Sequence, residues 1–175
     1  MILSPNYLRA LNMKKPSFLF KKEIIHRIRK HINQCHKLEI ELTHQNQKTT
    51  KERNPKNLQQ IYGRITDIDI FLTEHIQKIE ELKLAISRNS CIPHSIFMPY
   101  AISGKSLAIM SRAYIGLAEL QLRSDASDMK KIDSYLAEAM ALIESINPTQ
   151  KDLIENLKQK MQGVTGQILQ SLTIS

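Results

Sequence analysis

The sequence predicts an all-α protein in which a long antiparallel helical hairpin packs with a three-helix, repeat-like bundle, five helices in total. Three observations carry that prediction. Ile (24) and Leu (20) dominate the apolar residues beside a single Val and five glycines, a balance that disfavours a β-sandwich or an α/β nucleotide-binding fold. Apolar side chains recur at seven-residue spacing over long stretches. Polar or proline-bearing breaks punctuate that period at 48–56, 89–99, 124–128 and 147–149. A chain of 175 residues buries roughly 70 % of its unfolded surface, so its core does not require disulfides or a metal. No apolar run reaches about 18 residues, which excludes a transmembrane helix.

The elements follow from period and punctuation. Residues 1–16 read as a basic N-terminal segment and 17–88 as the hairpin. Ile25, Ile28, Ile32, Cys35 and Leu42 mark the seam of the first helix, widened by Ile24 and Leu38 and interrupted by Glu39. Asn54 and Pro55 read as the cap and first residue of the second helix. Its seam is the clearest in the chain: Leu58, Ile65, Leu72, Ile79 and Ile86 hold one heptad position, and Ile61, Ile68, His75 and Leu82 the other. A short polar loop between two long helices folds them back on each other.

Residues 97–175 are expected to form the bundle. Its first helix, from about Pro99 to Arg123, is apolar on nearly every side and so belongs at the centre. The turn Ser124–Asp128 supplies a cap for the next helix, which carries Ile132, Leu136, Met140 and Ile143 and closes at Asn147 and Pro148. Thr149 with Asp152 has capping-box spacing. The last helix carries Leu157, Met161, Val164 and Ile168, with Gly163 and Gly166 expected to permit close helix approach.

Charge is the strongest functional clue. Residues 1–60 hold 13 Lys and Arg against 4 acids, whereas 61–175 hold 12 against 13, so the whole excess of +8 lies in the first third. Lys22, Arg27, Arg29, Lys30 and Lys37, with His26, occupy the side of the first helix away from its seam, and Lys51 and Arg53 extend the basic character into the loop. Such a face suits a phosphate backbone, an anionic membrane surface or an acidic protein. Two cysteines, Cys35 and Cys91, with no CxxC pair, point to a reducing, cytoplasmic compartment. The N-terminal residues lack an apolar core and cleavage site of a signal peptide, so export, if it occurs, is expected to use no classical signal.

Catalytic and cofactor patterns fail on inspection. Gly104, Lys105 and Ser106 end like a phosphate-binding loop, but Pro99 stands where that motif needs glycine and no strand precedes it. His31, Cys35 and Glu39 share a helix face at metal-ligand spacing, yet a cysteine on the seam is ordinary core, His31 is expected to flank that seam and Glu39 to end a charged edge. His75 at a seam position reads as a register device. Asp67 and Asp69 point about 200° apart on a helix and read as solvated face rather than a carboxylate pair. No enzyme activity, cofactor or metal is expected.

Ala113, Tyr114 and Gly116 on one helix, Ala137 and Ala141 on the next, and the closing Asn147-Pro148 resemble a tetratricopeptide-type hairpin followed by a cap helix, over residues 100–172. That resemblance implies a helical scaffold that binds protein. The Ile-, Lys-, Asn- and Gln-rich, motif-poor character also resembles bacterial accessory proteins, including secreted effectors. The expectation is therefore a non-catalytic protein-interaction module of the adaptor, chaperone or inhibitor kind. Its partner would offer an acidic surface or an apolar helical segment. Electrostatic, sequence-independent nucleic-acid binding by the basic helix is the alternative, and homodimerisation through residues 17–88 a third reading.

Overall fold

The computed structural model describes residues 18–89 and 100–174, and these form an all-α structure with no strand among them. The helices are α1 (Phe18–Lys51), α2 (Pro55–Asn89), α3 (Gly104–Arg123), α4 (Met129–Glu144) and α5 (Lys151–Ile174). The basic segment 1–16, Cys91 and the proline-bearing break at 90–99 lie outside the described residues.

The chain divides into two compact units, each drawing on both α1 and α2: Met1–Leu38 with Phe71–Ala101, and Glu39–Ile70 with Ile102–Ser175. In the first unit Ile24, Ile28 and Cys35 of α1 and Leu72, Ile79, Leu82 and Ile86 of α2 are buried. Burial shifts the α1 seam from its expected place. Ile24 is wholly buried while Ile25 and Ile32 are only half-buried, so the stripe runs 24, 28, 31, 35 and 38. His31, expected to flank the seam, therefore sits on it. Adjacent isoleucines at 24 and 25 make the two registers equivalent in sequence, and only a partner helix distinguishes them.

The second unit contains the hairpin tip. Asn54 Oδ1 accepts the Lys56 N–H at 2.9 Å and the Asn54 carbonyl takes the first helical bond of α2, as the Asn-Pro signal predicts. The Glu52 carboxylate accepts the Arg53 and Asn54 amides at 3.0 and 2.9 Å, and the Asn54 and Arg53 bonds hold its pKa below the usual carboxylate value. The turn between the helices is thus closed by side chains that substitute for missing helical partners.

Helix α3 occupies the centre of this unit, with every residue from Ser106 to Ala118 except Arg112 buried. It starts at Gly104 rather than near Pro99. Ser103, in extended conformation, caps it through the Ser106 N–H at 3.1 Å, so the Gly-Lys-Ser stretch is a capped helix start. The Ser103 N–H donates to Glu39 Oε1 at 3.1 Å, which gives Glu39 a capping role in place of a charged edge. Asp128 caps α4 by accepting the Lys130 N–H at 3.0 Å. Tyr114, Ile115 and Ala118 of α3, Ile132 and Ala139 of α4, and Val164 and Ile168 of α5 form one cluster. Ala137 and Ala141 are exposed, and Ala139 is the small residue of α4 that packs, its carbonyl accepting the Ser111 hydroxyl at 3.3 Å.

Two smaller expectations are corrected here. Thr149 does not form a capping box with Asp152; its N–H and hydroxyl donate to Asn147 Oδ1 at 3.0 and 2.9 Å, while the Gln150 carbonyl opens α5. The proline at 148 tightens an Asn-led turn that satisfies Thr149 locally. Gly163 and Gly166 face open space and make no close helix approach. Replacing either with alanine should therefore stabilise the protein by about 1 kcal/mol, since only the helix-propensity term remains. Thermal denaturation by circular dichroism checks this, and a lower melting temperature would show that these sites are not open.

Candidate functional site

In the first unit, Lys22, His26, Arg29, Lys30 and Lys37 are all exposed. At 100° per residue they fall within an arc of about 100° on α1, opposite the stripe of Ile24, Ile28, Cys35 and Leu38. No Asp or Glu lies in that arc between positions 22 and 37. Lys22, Arg29, Lys30 and Lys37 take part in none of the ion pairs found among the described residues. Arg27 stands apart from this face. It is half-buried, and its Nε lies 3.0 Å from Glu23 Oε1 one helical turn earlier, a pairing that offsets part of its charge.

The hairpin tip, in the second unit, carries a separate set of cations. Lys48, Lys51, Arg53 and Lys56 are exposed, and the Arg53 guanidinium lies 3.4 Å from the carbonyls of Thr50 and Glu52. Each set is a small patch of net positive charge on helical or turn backbone. The chemistry such cations supply is attraction for anionic surfaces.

The residues that sequence spacing grouped as metal ligands have separate roles. Cys35 is fully buried in the α1 seam. Glu39 holds the start of α3. His31 turns toward α2, where its Nδ1 lies 2.9 Å from Nδ1 of His75. Among the described residues no cluster of three or more His, Cys, Asp or Glu could hold a metal ion. The two histidines were legible separately, one at a seam position in α2 and one beside the seam in α1. Their meeting depends on the register between helices, which neither pattern contains.

Asp69 is the other correction. It was expected on a solvated face, as Asp67 is, but it is buried and accepts the Tyr114 hydroxyl at 2.8 Å. Burial pushes the Asp69 carboxyl above its usual range, the Tyr114 bond pulls it back, and Glu138 pushes it up again. Burial and the bond to Asp69 raise the Tyr114 hydroxyl far above its ordinary value, so it remains a donor at any physiological pH. The signal that could have found Asp69 is its seven-residue spacing from Tyr62, which puts both on a face of α2 that meets Tyr114 and Gly116 of α3.

No helix among the described residues is long and apolar enough to cross a membrane. No protein-family model matches the chain, and no curated protein or solved structure is significantly similar to it.

Proposed function

We propose that the protein is a non-catalytic interaction module that presents the outer face of α1 to an acidic protein surface. The observation that carries this reading is the exposed, acid-free arc of Lys22, Arg29, Lys30 and Lys37 opposite a buried seam. A helix whose apolar stripe is already used for packing presents its cations at fixed backbone spacing, so that binding orders side chains and not the backbone. The sequence resemblance of residues 100–172 to a tetratricopeptide-type hairpin implies an adaptor, chaperone or inhibitor role. A nucleic-acid partner is the second reading, favoured by the extra cations at the hairpin tip. Aromatics amount to only 5 % of the chain, which leaves little for base stacking, so such binding would be to backbone and salt-sensitive.

The test uses fluorescence anisotropy with labelled polyglutamate and with random single-stranded DNA and RNA. Polyglutamate should bind the parent protein, and the triple variant Lys22→Glu, Arg29→Glu, Lys30→Glu should lose at least about tenfold in affinity with helicity unchanged. Nucleic acid bound preferentially, with affinity collapsing by orders of magnitude between about 50 and 200 mM salt, would install the second reading. Affinity for either probe that survives the triple variant would remove the basic face from the function altogether.

A further inference from the structure

The seam of the first unit is aliphatic apart from Cys35 and two histidines. His31 of α1 and His75 of α2 are both half-buried, with ring centroids 5.2 Å apart and planes inclined by 48°. Their Nδ1 atoms lie 2.9 Å apart. Two imidazole nitrogens at that distance share one proton: one Nδ1 donates and the other must be bare to accept. The contact survives a first added proton, because an imidazolium still donates to a neutral ring. It cannot survive a second, which sets two N–H groups against each other.

The surroundings add to this valence limit. Among the described residues, the charged groups acting on the pair are Arg27 and Lys30 of α1 and Glu74 and Lys78 of α2, three cations against one carboxylate. They disfavour further positive charge and also a divalent cation held between the rings. Burial first, then His75 and the neighbouring cations, lowers the His31 pKa; burial first, then Lys78, lowers that of His75, with Glu74 opposing.

We propose that His31 and His75 form a pH-sensitive latch across the α1–α2 seam of the first unit, closed while the pair shares one proton and released when both rings are protonated. In the unfolded chain each histidine takes a proton freely as pH falls through about 6.5, whereas the closed pair resists the second. The sign follows: stability of this seam is complete above that value and declines below it. The latch operates whatever the outer face of α1 binds.

Hydrogen exchange of the full chain reads the latch directly. Corrected for intrinsic rates, amides of residues 24–35 and 72–86 should exchange on the order of tenfold faster at pH 5.5 than at pH 7.5, because pH 5.5 lies about one unit below the ordinary histidine value. In the double variant His31→Leu, His75→Leu this acceleration should vanish. Equal acceleration in parent and double variant would overturn the latch. Should the double variant fail to fold, the single variant His75→Gln, which keeps an acceptor for His31 but does not titrate, should accelerate less than the parent, and acceleration equal to the parent's would overturn the latch. Side-chain NMR of the parent provides the remaining check. Two fully protonated imidazoles at pH 5.5 with undiminished protection of the seam would equally overturn it.

Discussion

Replacing Tyr114 with phenylalanine should lower stability by about 2 kcal/mol, within the range for a hydrogen bond to a charged group. Tyr114 and Asp69 are 7 % and 9 % exposed, and their 2.8 Å bond joins α2 to α3 within the second unit. The phenyl ring preserves the packing against Ile115, Ile132 and Val164 but removes the donor that steadies a buried carboxylate. Asp69→Asn is the informative companion, because its amide oxygen still accepts from Tyr114 while the buried charge is gone. That variant should equal or exceed the parent at pH 7.

The pH dependence of that comparison has a definite sign. The folded pKa of Asp69 is raised, so the folded protein holds this proton more tightly than the unfolded chain does. Charging the buried carboxylate is a cost that is present above the folded pKa and relieved as pH falls toward the ordinary carboxylate range. The advantage of Asp69→Asn over the parent should therefore shrink between pH 7 and pH about 4. Urea unfolding at both pH values measures it. A Tyr114→Phe variant as stable as the parent would show that the bond contributes nothing beyond orientation.

Gly116→Ala should also destabilise, although alanine is the better helix former. A Cβ built on Gly116 would lie 2.5 Å from Cε2 and 2.6 Å from Cζ of Tyr62, inside the distance any real contact tolerates. Helix propensity contributes about 1 kcal/mol in favour of the substitution. Relieving the overlap requires the Tyr62 ring to leave a half-buried site, and overpacking of this kind costs roughly 1–3 kcal/mol. The net loss should be about 1 kcal/mol and at most about 2 kcal/mol. Combining it with Tyr62→Ala should recover the propensity gain, so that the double variant is more stable than the sum of the single effects requires. Additive effects would mean that the ring and the glycine do not meet. Gly163 and Gly166, with open space around them, provide the opposite sign at the same residue type.

These two sites show where sequence reading stopped. The α2 seam was legible because nine positions repeat at one period over a long helix: none of them is exposed, and six of the eight aliphatic ones are buried. The N-caps Asn54 and Asp128 were legible because capping is a matter of two or three adjacent residues. The exposure of Lys22, Arg29, Lys30 and Lys37 followed from their angular distance from the apolar stripe of α1. Asp69 was misread because the heptad describes one interface, and α2 has a second, against α3, that a single-seam pattern does not represent.

Helix content, the main breaks and the cationic face of α1 are consequences of local order: periodicity, capping and composition act within a few residues and can be read along the chain. The choice between Ile24 and Ile25 on the α1 seam, the meeting of His31 with His75, the burial of Asp69 under Tyr114 and the need for glycine at 116 are of another kind. Each depends on which residue of one helix lies opposite which residue of another. That register is settled by the packing of whole faces at once, and no spacing within a single helix contains it.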